Sequence, residues 1–318
     1  MTTMTDSENN GQDVAITMTI ILATMASIVA GLITLQTRDV DSDSKSRWLA
    51  CPKTQPSKFS YEMYCTHYTP IWICAFAIIV VFQLYEQFTA TTYNLVCGGL
   101  ALPFLLQPLI YPTGPDANRK WTERYATKAN VWLATYSFIG NYWYTHYFYS
   151  VLKATYTMPS TRLNNVPIAM FFATHFYFSS YHVFSNVCLR KIKTTFQPGW
   201  NRRILYVSVV VILSYFTAFM ETLTISSFPY YSFEDRNMAY TIGSAFYGIY
   251  FLVSFPAFLV FDDDVDVVSD KISSEGRIKR VVTLWDSFVQ SCGYGMIILC
   301  LLDFVRLFTD IPLVVGTM

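Results

Sequence analysis

The sequence predicts an all-α protein: a polytopic transmembrane helical bundle of about eight spans with both termini on the non-cytosolic side. Composition points there first, because 53% of the 318 residues are hydrophobic and only 14% are charged, against ~25% charged in soluble domains. The apolar residues also fall in eight blocks, each near the ~20 residues a helix needs to cross a bilayer at 1.5 Å rise. Finally, the basic residues alternate from one connection to the next. Eighteen Lys and Arg lie in the connections 36–68, 112–128, 190–203 and 262–280, and four on the alternate side. The rich side is expected to be cytosolic.

The first block, 14–35, follows Asp6, Glu8 and Asp13 with no Lys or Arg before it. A secretory signal begins with a basic segment, so a retained anchor fits better. Residues 37–60 are polar and read as a flexible linker, dividing the chain into an anchor region, 1–60, and a catalytic bundle, 61–318. The remaining blocks run near 69–88, 92–111, 129–151, 166–189, 204–228, 239–261 and 281–305. In lipid the backbone must satisfy its own hydrogen bonds, so each reads as a helix. The last is the least uniform, carrying Asp286, Gln290 and Asp303. Glu86 and Asp303 lie near span ends, where snorkelling is cheap, and His67 is expected in a solvated loop.

Zero net charge argues against a nucleic-acid partner and, on so apolar a chain, against disorder. Seven cysteines without a CxxC pair indicate neither a disulfide framework nor a zinc site. Four scattered histidines cannot fill the clustered boxes of a di-iron membrane oxidase. No dinucleotide or P-loop glycine motif occurs. An enzyme built on this chain is expected to work without a metal or a redox cofactor.

Ionisable groups within spans are costly and mark function by default. At helical rise His146 lies about 8 Å below the non-cytosolic end of its span, Glu221 about 10 Å and His175 about 14 Å. The three are placed to meet in one layer. His182 stands two turns deeper than His175, on nearly the same face. The bland alternative for each is an interhelical hydrogen bond, worth ~0.6–2 kcal/mol. Residues 131–185 hold 17 aromatics in 55 positions. Interfacial belts account for Trp143, Tyr147 and Tyr149, but not for Phe171, Phe172, Phe176, Tyr177, Phe178 and Tyr181 through a span. Those rings are either ordinary packing or a flat pocket whose faces stabilise a cation.

The stretch GNYWYTHYFYSVLKATYTMPSTRLNNVP at 140–167 resembles the most characteristic segment of the cycloeucalenol cycloisomerases, also called cyclopropylsterol isomerases. The likeness continues in THFYFSSYHVFSN at 174–186, LSYFTAFMETLTISSFPYYSFEDR at 213–236 and AFYGIYFLVSFP at 245–256, with weaker matches at YTPIW (68–72) and LYEQFT (84–89). It covers roughly residues 60–260 in order. The first span looks like an addition to the family pattern. The segment 262–318, with the acidic run Asp262, Asp263, Asp264 and Asp266, aligns less readily.

The resemblance implies a cofactor-independent, multi-pass enzyme of the endoplasmic reticulum membrane. Its substrate is a 4α-methyl cyclopropyl sterol, cycloeucalenol, whose 9β,19-cyclopropane ring it opens to give obtusifoliol. A proton joins C19, a cation forms at C9, and the C8 proton leaves. Such chemistry needs a strong acid in a dry site and shielding of the cation. Glu221 and His146 are expected as the acid/base pair, and His175 as a second proton-handling or orienting group. Asn141, Tyr144, Asn164, Asn165 and Asn186 are expected to orient these groups or the sterol hydroxyl. Trp143, Tyr156, His182, Tyr230 and Tyr231 are expected to line the pocket, with the loops 152–165 and 229–238 as its cap. Competing readings are a non-catalytic sterol-binding or transport protein, a different sterol double-bond isomerase and a seven-helix receptor.

Overall fold

The computed structural model describes residues 2–41, 46–112, 114–225, 228–234, 236–265, 271–272, 278–279, 281–313 and 315. Side chains are described for these except 2–13, 262–265, 271–272 and 278–279, so the acidic run at 262–266 lies outside the described side chains. The helices are α1 (Thr2–Thr34), α2 (Pro56–Val81), α3 (Ala90–Ile110), α4 (Tyr125–Ile139), α5 (Thr145–Val151), α6 (Ile168–Thr195), α7 (Trp200–Ile225), α8 (Ser244–Val265) and α9 (Leu284–Phe308). Strands occur only as two-residue antiparallel pairs among the described residues: β1 (Thr155–Tyr156) with β4 (Tyr231–Ser232), β2 (Arg162–Leu163) with β3 (Val166–Pro167), and β5 (Lys271–Ile272) with β6 (Ile278–Lys279).

Each expected span contains helix, but among the described residues six helices rather than eight are long and apolar enough to cross a membrane. The two that fall short are the α4–α5 pair and α6. Each is polar because it lies inside the bundle rather than against lipid. α6 touches α2, α3, α4, α7 and α8, and 15 of its 28 residues are buried, including His175, Ser179, Ser180, His182, Ser185 and Asn186. α4 buries ten of its fifteen residues. Interior helices of a membrane bundle satisfy polar side chains on one another, so hydropathy understates them. α1 is the opposite case: it leans on α7 through Val14, Met18 and Leu22, and most of its surface is exposed.

The ends of the helices explain several residues that look out of place in the sequence. Asp286 sits in the capping box of α9, where it accepts from the Thr283 backbone while the Thr283 hydroxyl accepts from the Asp286 N–H. Asp303 pairs with Arg306 one turn on, at 2.6 Å. Arg124 donates to the carbonyls of Pro108 and Leu109 at the end of α3. α2 stops at Val81, so Glu86, counted within the expected span 69–88, lies exposed beyond the helix in the 3₁₀ turn Leu84–Gln87. His67 is not in a loop but on the exposed face of α2, with its ring on the Met63 carbonyl.

The stretch 37–60 is not a flexible linker where it is described. Asp39 donates its N–H to Thr195, and Arg38 bridges to Phe196. Arg190 donates to the Trp48 carbonyl and to both oxygens of Glu62, and Glu62 also accepts from the Ala50 N–H. α2 begins within this stretch, and Ser57 reaches Asp116 in the next basic connection. The connections 36–68, 112–128 and 190–203 therefore share one end of the bundle. At the other end Asn94 bonds Thr161, and β1 pairs with β4. For these three connections the grouping read from the charges is the grouping in the fold.

Candidate active site

At the end of the bundle opposite the basic connections, a narrow cavity opens among α4–α5, α6, α7 and α8. Glu221 lines it from the last turns of α7. On either side of the carboxyl stand Thr222 and Ile225 of α7, Tyr247 and Tyr250 of α8, and Thr174 and Phe178 of α6. The π-helical turn Gly140–Tyr144 breaks α4 from α5 where both border the cavity, bringing Gly140, Asn141 and Thr145 into the lining. Single π turns inside helices recur at functional sites because they re-aim side chains. Asn141 donates to the Ser137 carbonyl and to Thr174 Oγ1, at 2.8 and 2.6 Å, tying this turn to α6.

The mouth is covered by the two loops expected to cap it. β1 and β4 place Tyr156 opposite Tyr231, their rings stacked with centroids 4.4 Å apart. Both rings and Phe233 line the cavity. Thr157 donates its N–H to the Tyr230 carbonyl, closing the pair at 2.8 Å. Burial pushes both phenols up from their ordinary value, keeping them neutral donors.

The remaining expected site residues disperse. His146 is buried against Tyr149 with Asn164 beside its ring, and His175 is buried against Phe104 of α3 with no hydrogen bond to its ring among the described residues; neither lines the cavity. The expectation that both meet Glu221 around one pocket is corrected by helix rotation: similar depth does not bring the three to one azimuth. His182 is enclosed by Trp132, Tyr136, Phe255 and Phe258, and bonds Ser254 Oγ and the Phe178 carbonyl. It crosslinks α6 to α8 away from the cavity. Asn164 and Asn165, at φ 50° and 60°, form the left-handed turn between β2 and β3, a conformation asparagine tolerates well. Asn164 also donates to the Tyr142 carbonyl. Tyr144 donates to the Gly295 carbonyl of α9 at 3.0 Å. Asn186 is fully buried in α6 outside the lining, Trp143 is 43% exposed, and Tyr230 is half-buried against Tyr85 and Phe228.

The lining residues not foreseen are Thr174, Thr222, Tyr247 and Tyr250, while Tyr181 was expected only as an aromatic face. The Tyr181 and Tyr247 hydroxyls face the Glu221 carboxyl within hydrogen-bonding range. A signal was present: Thr174, Phe178 and Tyr181 follow the i, i+4, i+7 spacing of one helical stripe. An ionised carboxylate in this setting would lie among phenols and apolar rings with no cation in the lining, an arrangement that disfavours the charged form. The site can therefore hand a proton to a bound molecule and surround the resulting cation with ring faces. Among the described residues no group of three His, Cys, Asp or Glu is placed to hold a metal ion.

Fold and site define a multi-pass helical membrane protein with one carboxylic acid in an aromatic, capped interior cavity. The cycloeucalenol cycloisomerase of Arabidopsis thaliana is 40% identical to this chain over 270 residues, 84% of the chain and 91% of that protein. The chain belongs to the cycloeucalenol cycloisomerase family. No protein-family model matches it, and no solved structure does.

Proposed function

We propose that this chain is an isomerase of sterol biosynthesis that opens the cyclopropane ring of cycloeucalenol to give obtusifoliol, with Glu221 as the proton donor. The observation that carries the mechanistic part is a protonatable carboxyl in an aromatic-rich cavity with no cation in its lining. The sterol inserts its ring system beneath the Tyr156–Tyr231 cap. Glu221 protonates C19, the C9–C19 bond opens, and positive charge develops at C9. Phe178, Tyr247 and Tyr250 present ring faces to that charge, and the bound sterol beneath the Tyr156–Tyr231 pair keeps water from trapping it. Loss of the C8 proton forms the C8–C9 double bond. Electrons and atoms balance without a cofactor, since the product is an isomer of the substrate.

His146 and His175 act on this reading as buried packing groups that shape the walls around Glu221. The basic end of the bundle faces the cytosol. Exposed Trp48, Trp121, Trp200 and Trp285 cluster in or beside its connections, as interfacial tryptophans do. Both termini then lie on the luminal side of the endoplasmic reticulum membrane. Expression in membranes lacking the activity, with cycloeucalenol supplied and sterols analysed by gas chromatography and mass spectrometry, tests the reaction. Obtusifoliol formed without nicotinamide is the expected result. Cycloeucalenol recovered unchanged refutes it and favours a sterol-binding protein.

A further inference from the structure

Two proton transfers complete the reaction, but the described cavity lining offers one group suited to them. Glu221 is its one carboxyl, and no imidazole or amine lies beside it. Around Glu221 the titratable groups are phenols: Tyr136 of α4, Tyr156 of β1, Tyr177 and Tyr181 of α6, Tyr231 of β4, and Tyr247 and Tyr250 of α8. A neutral phenol is a poor base, so the carboxylate left by the first transfer is the strongest base in the described lining. Glu221 Oε2 is buried without a hydrogen-bond partner among the described residues, while Tyr181 and Tyr247 approach the carboxyl.

Resting on the reading above, we propose that Glu221 is both acid and base: one carboxyl delivers the proton to C19 and takes the proton from C8, with Tyr181 and Tyr247 as positioning residues. The reacting atoms permit it. C8 and C19 are both bonded to C9, so they stand about 2.5 Å apart, two bonds of about 1.5 Å around a shared centre. The two oxygens of a carboxyl are about 2.2 Å apart and present separate acceptor sites. A small displacement thus brings one group from the first carbon to the second, provided both hydrogens are handled on one face of the sterol.

In the first step the electron pair of the C9–C19 bond takes the Glu221 proton. C19 becomes a methyl group, C9 a cation, and Glu221 a carboxylate. This ion pair exists only while the cation is present, so the buried negative charge is compensated when it forms. In the second step the C8–H electron pair becomes the C8–C9 π bond, and the proton returns to the carboxylate. The acid is regenerated without exchange with a second residue. The phenols of Tyr181 and Tyr247 stabilise the transient carboxylate by charge-assisted hydrogen bonds.

The test uses the full chain in lipid nanodiscs with cycloeucalenol, comparing Glu221→Gln, Glu221→Asp, His146→Gln, His175→Gln and Tyr247→Phe by kcat/KM across pH. One essential carboxyl that must start protonated gives a profile falling on the alkaline side only. Glu221→Gln is expected to lose at least about a thousandfold, about 4 kcal/mol of transition-state stabilisation. Glu221→Asp keeps the single alkaline limb at lower kcat, so it answers if the glutamine variant fails to fold. Both histidine variants stay within about tenfold of the parent, an allowance of about 1.4 kcal/mol for altered packing. Tyr247→Phe lowers kcat more than it changes KM and moves the alkaline limb, which a merely structural residue would leave in place. A folded histidine variant as inactive as Glu221→Gln overturns the proposal. So does an acid limb that a histidine variant abolishes, or an alkaline limb unmoved in Tyr247→Phe. Absence of obtusifoliol from the parent chain instead overturns the proposed function itself.

Discussion

Removing the Arg190 guanidinium should unlock the basic end of the bundle. Arg190 and Glu62 are 7% and 1% exposed. The guanidinium donates Nη1 to Oε2 at 2.9 Å and Nη2 to Oε1 at 2.5 Å, and Nη1 also reaches the Trp48 carbonyl at 3.0 Å. Arg190→Met leaves a buried carboxylate with the Ala50 N–H, at 2.7 Å, as its recorded donor. Stranding one partner of a buried pair costs about 3–5 kcal/mol. The double variant Glu62→Leu/Arg190→Met removes the stranded charge and leaves two neutral backbone groups, Ala50 N–H and Trp48 C=O, each worth about 1–3 kcal/mol if unsatisfied. The double variant should therefore be no less stable than Arg190→Met alone, giving a coupling energy of about 2 kcal/mol or more. Thermal unfolding of the four proteins in one detergent measures it. Single variants within about 1 kcal/mol of the parent, a loss typical of exposed pairs, would refute the argument that this pair is a buried clasp.

Three further outcomes follow from other parts of the fold. Deleting residues 2–35 should leave isomerase turnover within a few-fold of the parent in membranes, because α1 touches α7 on the face away from the Glu221 cavity and none of its residues line that cavity. Hydrogen bonds from Thr54, then from the Lys53 backbone, lower the Cys51 thiol to about 6. Its thiolate therefore predominates above that pH and is lost below it. In sealed microsomes an impermeant maleimide should label Cys51 from outside at pH 7, more slowly below pH 6 and in Thr54→Ala; protection until the membrane is opened would reverse the orientation. A methyl group added at Gly243 would lie 2.7 Å from Leu152 Cδ2 and 3.2 Å from the Met238 carbonyl. Gly243→Ala should cost about 1–3 kcal/mol through overpacking, partly recovered by Leu152→Ala in the same unfolding assay.

Much of the architecture was legible in the primary structure because hydropathy and charge act locally. The eight helical segments and the alternation of the connections follow from residue type and spacing. What misled was polarity on interior helices. α6 looks like an ordinary span in the sequence, yet its serines and histidines are tolerated because five other helices surround it. The linker misled for a related reason: Glu62 lies far from Arg190 in sequence, and only their pairing shows why a polar stretch is held in place.

The site divides along the same line. The amino-acid order determined the class of the protein, its family likeness and the depth of each polar group, since depth follows from a rise of 1.5 Å per residue. Rotation about each helix axis and the crossing of neighbours were decided by long-range packing. His175 and His182 occupy one stripe of α6, yet His175 meets Phe104 of α3, while His182 meets Trp132 of α4 and Phe258 of α8. The same packing turned Glu221 inward beneath the two tyrosines and left His146 and His175 outside the lining. Depth is one coordinate of a site. The other two belong to the bundle, and they left one of the three expected residues, Glu221, in the cavity lining.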